Sequence, residues 1–204
     1  MPGVHGSGCG CRNEDQSQAG GYWLTAASID QDSIRSSGTH SVDSAKSLFR
    51  NYSERLDDSH LVESIDPEDP EIIITLSFSS PTRLTSISLI GGLPPFDPRV
   101  VRLFANGQPG DFSVVQESEP TQTVELASDF CGAVEYPLRV AKFSQLTSLT
   151  LHFPAIQSVK LHWVGLKGVA SGDKRQAVVA VYEAKPNVKD HSVPDFAKGA
   201  WHIS

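Results

Sequence analysis

The sequence predicts an all-β domain, an antiparallel β-sandwich closed as a jelly roll. Three observations lead to this fold class. Short stretches of apolar residues alternate with polar ones at a period of two, as in strands with one buried and one solvated face. Clusters of Gly, Pro, Asn and Asp separate these stretches. No helical pattern is interleaved with them, and about eight short strands of this kind fit a jelly roll.

The beginning of the chain adds a disordered and a short helical segment to this fold. Residues 1–20 are rich in Gly, Ser and polar side chains, which predicts disorder. The first apolar cluster follows at residues 21–24. Residues 44–56 are predicted to form one short helix with Ser44 as its N-cap, because apolar side chains fall there at helical spacing. These side chains are Ala45, Leu48, Phe49 and Tyr52.

From residue 71 onward the apolar period becomes two. The side chains that share one face of residues 72–78 are Ile72, Ile74, Leu76 and Phe78. Further strands are predicted over residues 84–90, 100–104, 123–126, 140–143, 149–153, 159–163 and 177–182. Residues 194–204 lack the pattern and are expected to form a flexible tail. The folded domain is therefore expected to span residues 21–193.

Composition narrows the class of protein. The 204 residues fit one domain, and a net charge of −7 makes nucleic acid an unlikely partner because phosphate repels it. We expect no membrane association, since no apolar run approaches the roughly 18 residues of a membrane span. An odd number of cysteines argues against a disulfide framework. Together with the absence of an apolar signal stretch, this indicates a reducing setting, cytoplasmic and also nuclear.

A series of short motifs runs through the predicted domain. It comprises Arg55-Leu56-Asp57 followed by Val62-Glu63-Ser64, then Arg102-Leu103-Phe104-Ala105-Asn106, Glu135-Tyr136-Pro137-Leu138-Arg139 with Phe143, Gly165-Leu166, and the stretch from Tyr182-Glu183 to Asp190-His191. The series resembles the PITH domain, the proteasome-interacting domain first described at the C-terminus of thioredoxin-like proteins. No Cys-x-x-Cys redox motif accompanies it, so the chain resembles a standalone PITH protein.

The resemblance implies a fold and a function. The fold would be a jelly roll similar to galactose-binding-like domains, with no catalytic residues and no cofactor. Known members of the family associate with the 26S proteasome. We therefore expect a non-catalytic protein-interaction module that binds subunits of the proteasome regulatory particle.

An acidic segment at residues 54–71 is the first candidate for the binding surface. It holds eight carboxylates against Arg55 alone. Such a patch could steer a basic partner surface, and a solvated loop is the alternative reading of the same charges. The candidate partner-binding residues here are Asp57, Asp58, Glu63, Asp66, Glu68 and Asp69.

The end of the chain supplies the second candidate surface. Phe196 and Trp201 are large apolar groups outside the strand pattern, so they either dock onto the domain or bind a partner. His202 could contribute to the same contact. Asp190 and His191 are adjacent in extended chain and point to opposite sides, which argues against an acid–base pair and leaves a surface role.

Metal binding and catalysis find little support in the sequence. His5, Cys9 and Cys11 could coordinate a soft metal, but a structural zinc needs four ligands, so no metal site is predicted. Cys131 has no adjacent base to activate it as a nucleophile. Phosphate-loop, Gly-x-Ser-x-Gly and His-Glu-x-x-His motifs are absent. An enzyme would need converging polar groups in a pocket, which the sequence does not offer; a pocket lined by His152, His162 and acidic residues would revive that reading.

The alternative to a protein-binding module is a jelly roll that binds a small ligand or a carbohydrate. It rests on fold analogy, which is a weak warrant for function. Phe153 and Trp163 are aromatic groups on which a sugar could stack. Their alternation with polar neighbours instead predicts that both lie in the core, with Leu151 and Leu161.

Overall fold

The computed structural model describes residues 21–25, 27–107 and 111–171. These residues contain nine strands, one α-helix and two 3₁₀ turns. All of these residues belong to the unit Met1–Lys174. The second unit, Arg175–Ser204, lies outside the described residues. The predicted disordered segment 1–20, the predicted strand 177–182 and the predicted tail 194–204 also lie outside them.

The strands form an antiparallel sheet system, as the sequence predicts. They are β1 (Tyr22–Trp23), β2 (Ile29–Ser37), β3 (Val62–Glu63), β4 (Ile72–Gly91), β5 (Val100–Ala105), β6 (Gln122–Glu125), β7 (Tyr136–Pro137), β8 (Leu146–Phe153) and β9 (Lys160–Ala170). Their order is β1-β9-β4-β8-β5-β6, with β2 and β7 also paired to β4 and β3 paired to β9. Helix α1 (Phe112–Glu117) follows β5, and the 3₁₀ turns cover Ser44–Leu48 and Tyr52–Glu54.

Strand β4 has 20 residues and serves both layers of the sandwich. Its first half lies between β2 and β8, and its second half lies between β7 and β9. The register with β8 shifts between Ser77 and Thr82, where the strand changes partners. The strands predicted at residues 72–78 and 84–90 are therefore one continuous strand, because the polar residues between them remain extended as the chain passes from one layer to the other.

The main core lies between the layers and confirms the alternation in β4. Ile72, Ile74 and Leu76 are at most 2% exposed and pack in one cluster with side chains of β8 and β9. Ile73 points to the opposite side and packs against Phe104 and Val115 beneath α1. Burying each side chain of this size contributes roughly 1.5–3 kcal/mol to folding.

The helix predicted over residues 44–56 is wrong. Two 3₁₀ turns separated by extended backbone at Asn51 take its place, and Asp43 rather than Ser44 stands at the N-cap. The physical reason is that the apolar residues serve two different clusters. Phe49 packs in the main core, whereas Tyr52 packs against tryptophans in a separate cluster, which one continuous helical face could not achieve.

The strand predicted over residues 140–143 is also wrong. The backbone N–H of Phe143 donates to the carbonyl of Val140 (3.2 Å), which closes a turn. Phe143 is fully buried while Val140 is 39% exposed. The short strand at this place is β7, which pairs with residues 86 and 87 of β4.

The side chain of Gln122 bridges β6 and the segment after β7. Its amide Nε2 donates to the carbonyl of Pro137 (3.1 Å), and its Oε1 accepts from the N–H of Arg139 (2.9 Å). The amide thus makes the two hydrogen bonds that a peptide group of a neighbouring strand would make.

Candidate functional site

Three aromatic side chains form a cluster separate from the main core, here called the aromatic cluster: Trp23, Tyr52 and Trp163. The rings of Trp23 and Tyr52 stack with centroids 4.9 Å apart and planes inclined by 5°. Trp163 meets both edge-on, at 5.7 and 5.9 Å, and its indole N–H donates to the carbonyl of Arg50 (3.2 Å). These are the geometries that aromatic quadrupoles favour.

A β-bulge places Trp163 in this cluster. Leu161 pairs with Gly91, and Trp163 pairs with Ile90, so His162 is the extra residue in β9. The bulge sends Leu161 into the main core and Trp163 into the aromatic cluster. The prediction that Trp163 is buried is confirmed, but the prediction that it shares a face with Leu161 is wrong.

Two cations close the ends of the aromatic stack. The guanidinium of Arg55 lies 3.9 Å from the centroid of Tyr52, and the ammonium of Lys167 lies 5.4 Å from that of Trp23. Arg55 is only 3% exposed, and its Nε donates to the carbonyl of Cys131 (2.9 Å). Lys167 pairs with Glu135 (3.0 Å). Stacking and hydrogen bonding together compensate the burial of these charges.

The loop after β6 is held against this cluster by the carboxylate of Asp129. One oxygen accepts from the N–H groups of Cys131 and Gly132, both at 2.9 Å, and the other accepts from Val134 at 2.8 Å. Gly132 has φ +68° and packs against Trp163, so a side chain there would be strained. The loop is thereby fixed over Arg55.

The motifs that carry the resemblance have structural roles. Arg55 and Glu135 hold the aromatic cluster, as described above. Asn106 has φ 53° and accepts from the N–H of Thr147 (2.8 Å). A Cβ at Gly165 would overlap the ring of Trp163. Arg55 and Gly165 are buried, whereas Glu135 and Asn106 are exposed but hydrogen-bonded to other parts of the domain.

Neither Cys131 nor His152 has the surroundings of a catalytic group. Burial raises the pKa of the Cys131 thiol, and the Asp129 carboxylate raises it further, so thiolate is disfavoured. His152 is fully buried, and its Nε2 lies 2.9 Å from Glu71 Oε2. Burial lowers the pKa of His152 despite this carboxylate, so the ring is neutral at pH 7 and donates to Glu71.

A pocket lined by His152 and His162 would indicate an enzyme, but the two side chains have different charged neighbours. His162 has other neighbours, Asp58 and Arg50 among them, and burial lowers its pKa. Among the described residues no group of three or more His, Cys, Asp or Glu could hold a metal ion. His5, Cys9 and Cys11 lie outside the described residues.

The acidic segment is split by strand β3 into two groups. Asp57 and Asp58 are exposed before it, and hydrogen bonds with Ser59 lower the pKa of Asp57. Glu63, within β3, pairs with Lys160 (3.0 Å). The exposed carboxylates after β3 are Asp66, Glu68 and Asp69. The role of these residues in partner binding stays a prediction.

The other predicted partner-binding residues lie outside the described residues. They are Asp190, His191, Phe196, Trp201 and His202.

Sequence reasoning missed the interior role of Arg55. The available signal was a single arginine three residues after Tyr52 in an otherwise acidic segment.

In the part of the chain that the structure covers, no helix is long and apolar enough to cross a bilayer.

The architecture defines a galactose-binding-like β-sandwich domain. Among solved structures, the C-terminal domain of a chitobiase from Bacteroides fragilis superposes with a TM-score of 0.50 at 14% identity, covering 72% of this chain and 98% of that one. This likeness shows the fold alone. The predicted jelly-roll class is confirmed.

The chain belongs to the PITH domain family, which it matches over residues 14–186. PITH domain-containing protein 1 of Dictyostelium discoideum is 35% identical over 162 residues, covering 78% of this chain and 79% of that protein. The Xenopus laevis protein of the same name is 31% identical over 195 residues, covering 93% and 92%. The resemblance is confirmed, and the family favours a non-catalytic module.

Proposed function

We propose that this chain is a non-catalytic protein-interaction module that associates with the regulatory particle of the 26S proteasome. The observation that carries the proposal is that the motif residues of this PITH family member are engaged in hydrogen bonds within the domain. Arg55, Glu135 and Asn106 make bonds that hold the domain together. Recognition would then fall to the exposed loops, which is where binding residues are generally found on a rigid scaffold.

The acidic segment and the end of the chain supply the candidate contacts. Asp57, Asp58, Asp66, Glu68 and Asp69 are exposed and would attract a basic partner surface. The contributions of Phe196 and Trp201 are proposed with them. An association with proteasomes would place the chain in the cytoplasm and the nucleus.

The carbohydrate-binding alternative has less support. A sugar stacks on an accessible aromatic face, whereas Trp163 is 1% exposed and Trp23 is 8% exposed. Each face of the Trp23–Tyr52 stack is already occupied by a ring or a cation.

The test is affinity capture from native lysate with the tagged full-length chain, followed by identification of regulatory-particle subunits by mass spectrometry. A truncated variant ending at Val193 runs in parallel. We expect regulatory-particle subunits to be enriched with the full chain. Their loss on truncation would assign the contact to residues 194–204, and their absence at low salt with both chains would refute the proposed function.

A further inference from the structure

Three loops lie side by side at the start of strand β9. The N–H of Gly92 donates to the carbonyl of Lys160, and the N–H of Lys160 donates to the carbonyl of Phe96, both at 2.9 Å. On the other side, Ser64 donates its N–H to the carbonyl of Val159 (3.0 Å), and its hydroxyl accepts from the N–H of Val159 (3.0 Å). We call residues 63–69, 92–97 and 154–160 the three-loop surface.

Apolar side chains are exposed on each of the three loops. Ile65 is 51% exposed, Leu93 67%, Phe96 38% and Ile156 96%. Single exposed apolar residues are common on protein surfaces, but a group of them on loops held together by hydrogen bonds is typical of an interaction site. The domain itself gains little from these side chains where they stand.

The charges on the same surface are unequal. Lys160, its cation, is paired with Glu63 at 3.0 Å and lies 5.0 Å from the centroid of Phe96. Asp66, Glu68 and Asp69 follow Ile65 on an exposed loop, and none of the ion pairs among the described residues involves them. The three-loop surface therefore carries exposed apolar side chains together with an excess of negative charge.

We propose that the three-loop surface binds a segment of a partner protein that carries both apolar and basic side chains. The apolar side chains of that segment contact Ile65, Leu93, Phe96 and Ile156. Its lysines or arginines lie against Asp66, Glu68 and Asp69. Charge complementarity selects this occupant over an acidic or purely apolar one. The identity of the partner as a regulatory-particle subunit rests on the proposed function; the location of the surface does not.

The first experiment locates binding without any proteasome. The ¹⁵N-labelled full-length chain is titrated with a synthetic 12-residue peptide of leucine and lysine, and with a serine–lysine peptide of equal charge. We expect amide shifts at residues 65, 93 and 156 with the first peptide alone, and weaker binding at higher salt. Equal response to both peptides, no response, or shifts confined to other surfaces would overturn the proposal.

Paired variants sharpen this test. Leu93→Ser with Ile156→Ser should raise the dissociation constant of the leucine–lysine peptide about tenfold or more, because two apolar contacts are removed. Val114→Ser with Val140→Ser is the matched control, since these valines are 49% and 39% exposed on other parts of the surface. A control effect as large as that of the test pair contradicts the proposal.

Other occupants give distinct results with the same variants. If the free chain dimerises in sedimentation runs and the Leu93→Ser/Ile156→Ser variant does not, the surface is a contact between two copies and the proposal fails. Binding to phosphatidylcholine–phosphatidylserine vesicles that the same variant abolishes would identify a lipid surface instead, and would also overturn it.

The second experiment measures binding of both variant pairs to the purified regulatory particle. If the wild-type chain binds and the Leu93→Ser/Ile156→Ser variant binds equally well, the three-loop surface is refuted while the proposed function stands. If the wild-type chain does not bind, the proposed function fails and the peptide titration still decides the proposal about the surface. Glu119→Ser with Glu125→Ser supplies a charge control, because both carboxylates are exposed and neither belongs to the three-loop surface or to the candidate contacts of the proposed function.

Discussion

The carboxylate of Asp129 offers a sharp test of how the loop after β6 is held. Asp129→Asn preserves the shape of the side chain and removes its charge. The amide oxygen can still accept from Cys131 and Gly132, which share one oxygen in the native loop. The second oxygen becomes an NH₂ group that faces the N–H of Val134, so two donors meet where a hydrogen bond of 2.8 Å existed.

The magnitude follows from these three bonds. Hydrogen bonds to a charged acceptor contribute about 1.5–3 kcal/mol. The substituted amide could also flip, but it would then lose two bonds instead of one. The orientation that loses only the Val134 bond is therefore preferred, and the other two bonds weaken with the charge. We expect the free energy of unfolding to fall by about 2–3 kcal/mol. For a chain of this size that lowers Tm by roughly 4–12 °C.

The assay is urea unfolding followed by tryptophan fluorescence, which reports on Trp23 and Trp163 beside the loop. Asp66→Asn is the matched control, because both of its backbone contacts, from Glu68 and Asp69, use one oxygen in an exposed loop. The control should lie within about 0.5 kcal/mol of the wild type. Equal unfolding midpoints for the two variants would refute the structural role assigned to Asp129.

Three further predictions follow from the packing and the buried groups. Gly165→Ala should destabilise the domain by about 1–3 kcal/mol, because its Cβ would overlap the ring of Trp163; urea unfolding and a shifted tryptophan emission would show it. Gln122→Ala removes two backbone contacts and should cost about 1–2 kcal/mol in the same assay; an unchanged midpoint would contradict the bridging role. Burial lowers the folded-state pKa of His152 and His162 below the ordinary value of 6.5. The unfolded chain therefore takes up protons first, and the free energy of unfolding should fall as the pH drops below 6.5. In His152→Asn that slope should be shallower across urea titrations from about pH 7.5 to 5, and an unchanged slope would show that His152 does not contribute.

Sequence patterns predicted the strands in which apolar and polar residues alternate regularly. The alternation over residues 72–78 and 149–153 identifies the side chains that enter the main core, and both segments lie in strands as expected. The same reasoning failed for Trp163, because a bulge at His162 reverses the face without changing the apolar pattern. It failed again over residues 140–143, where one buried side chain, Phe143, follows exposed residues in a turn.

The parts of the candidate site that escaped prediction depend on distant partners. Arg55 looked like the one cation in an acidic loop, yet it donates to the carbonyl of Cys131, 76 residues further on. His152 occupies a polar position of an alternating strand and is nevertheless fully buried, because Glu71 supplies a hydrogen-bond partner beneath α1. Periodicity indicates a face of an element, but it does not indicate what covers that face.

In this chain the residues of the family motifs and the exposed residues of the three-loop surface have different roles. Gly165, Arg55 and Asn106 are fixed by contacts inside the domain, so changing them should lower stability before it changes any contact with a partner. Leu93 and Ile156 lie outside those motifs and are largely exposed, so changing them should alter binding and leave the unfolding midpoint nearly unchanged. If the affinity for the regulatory particle fell together with the unfolding midpoint in both groups of variants, recognition would depend on the integrity of the whole domain. If the affinity fell only in the variants at Leu93 and Ile156, the exposed loops would determine which partner binds, and the motif residues would maintain the fold.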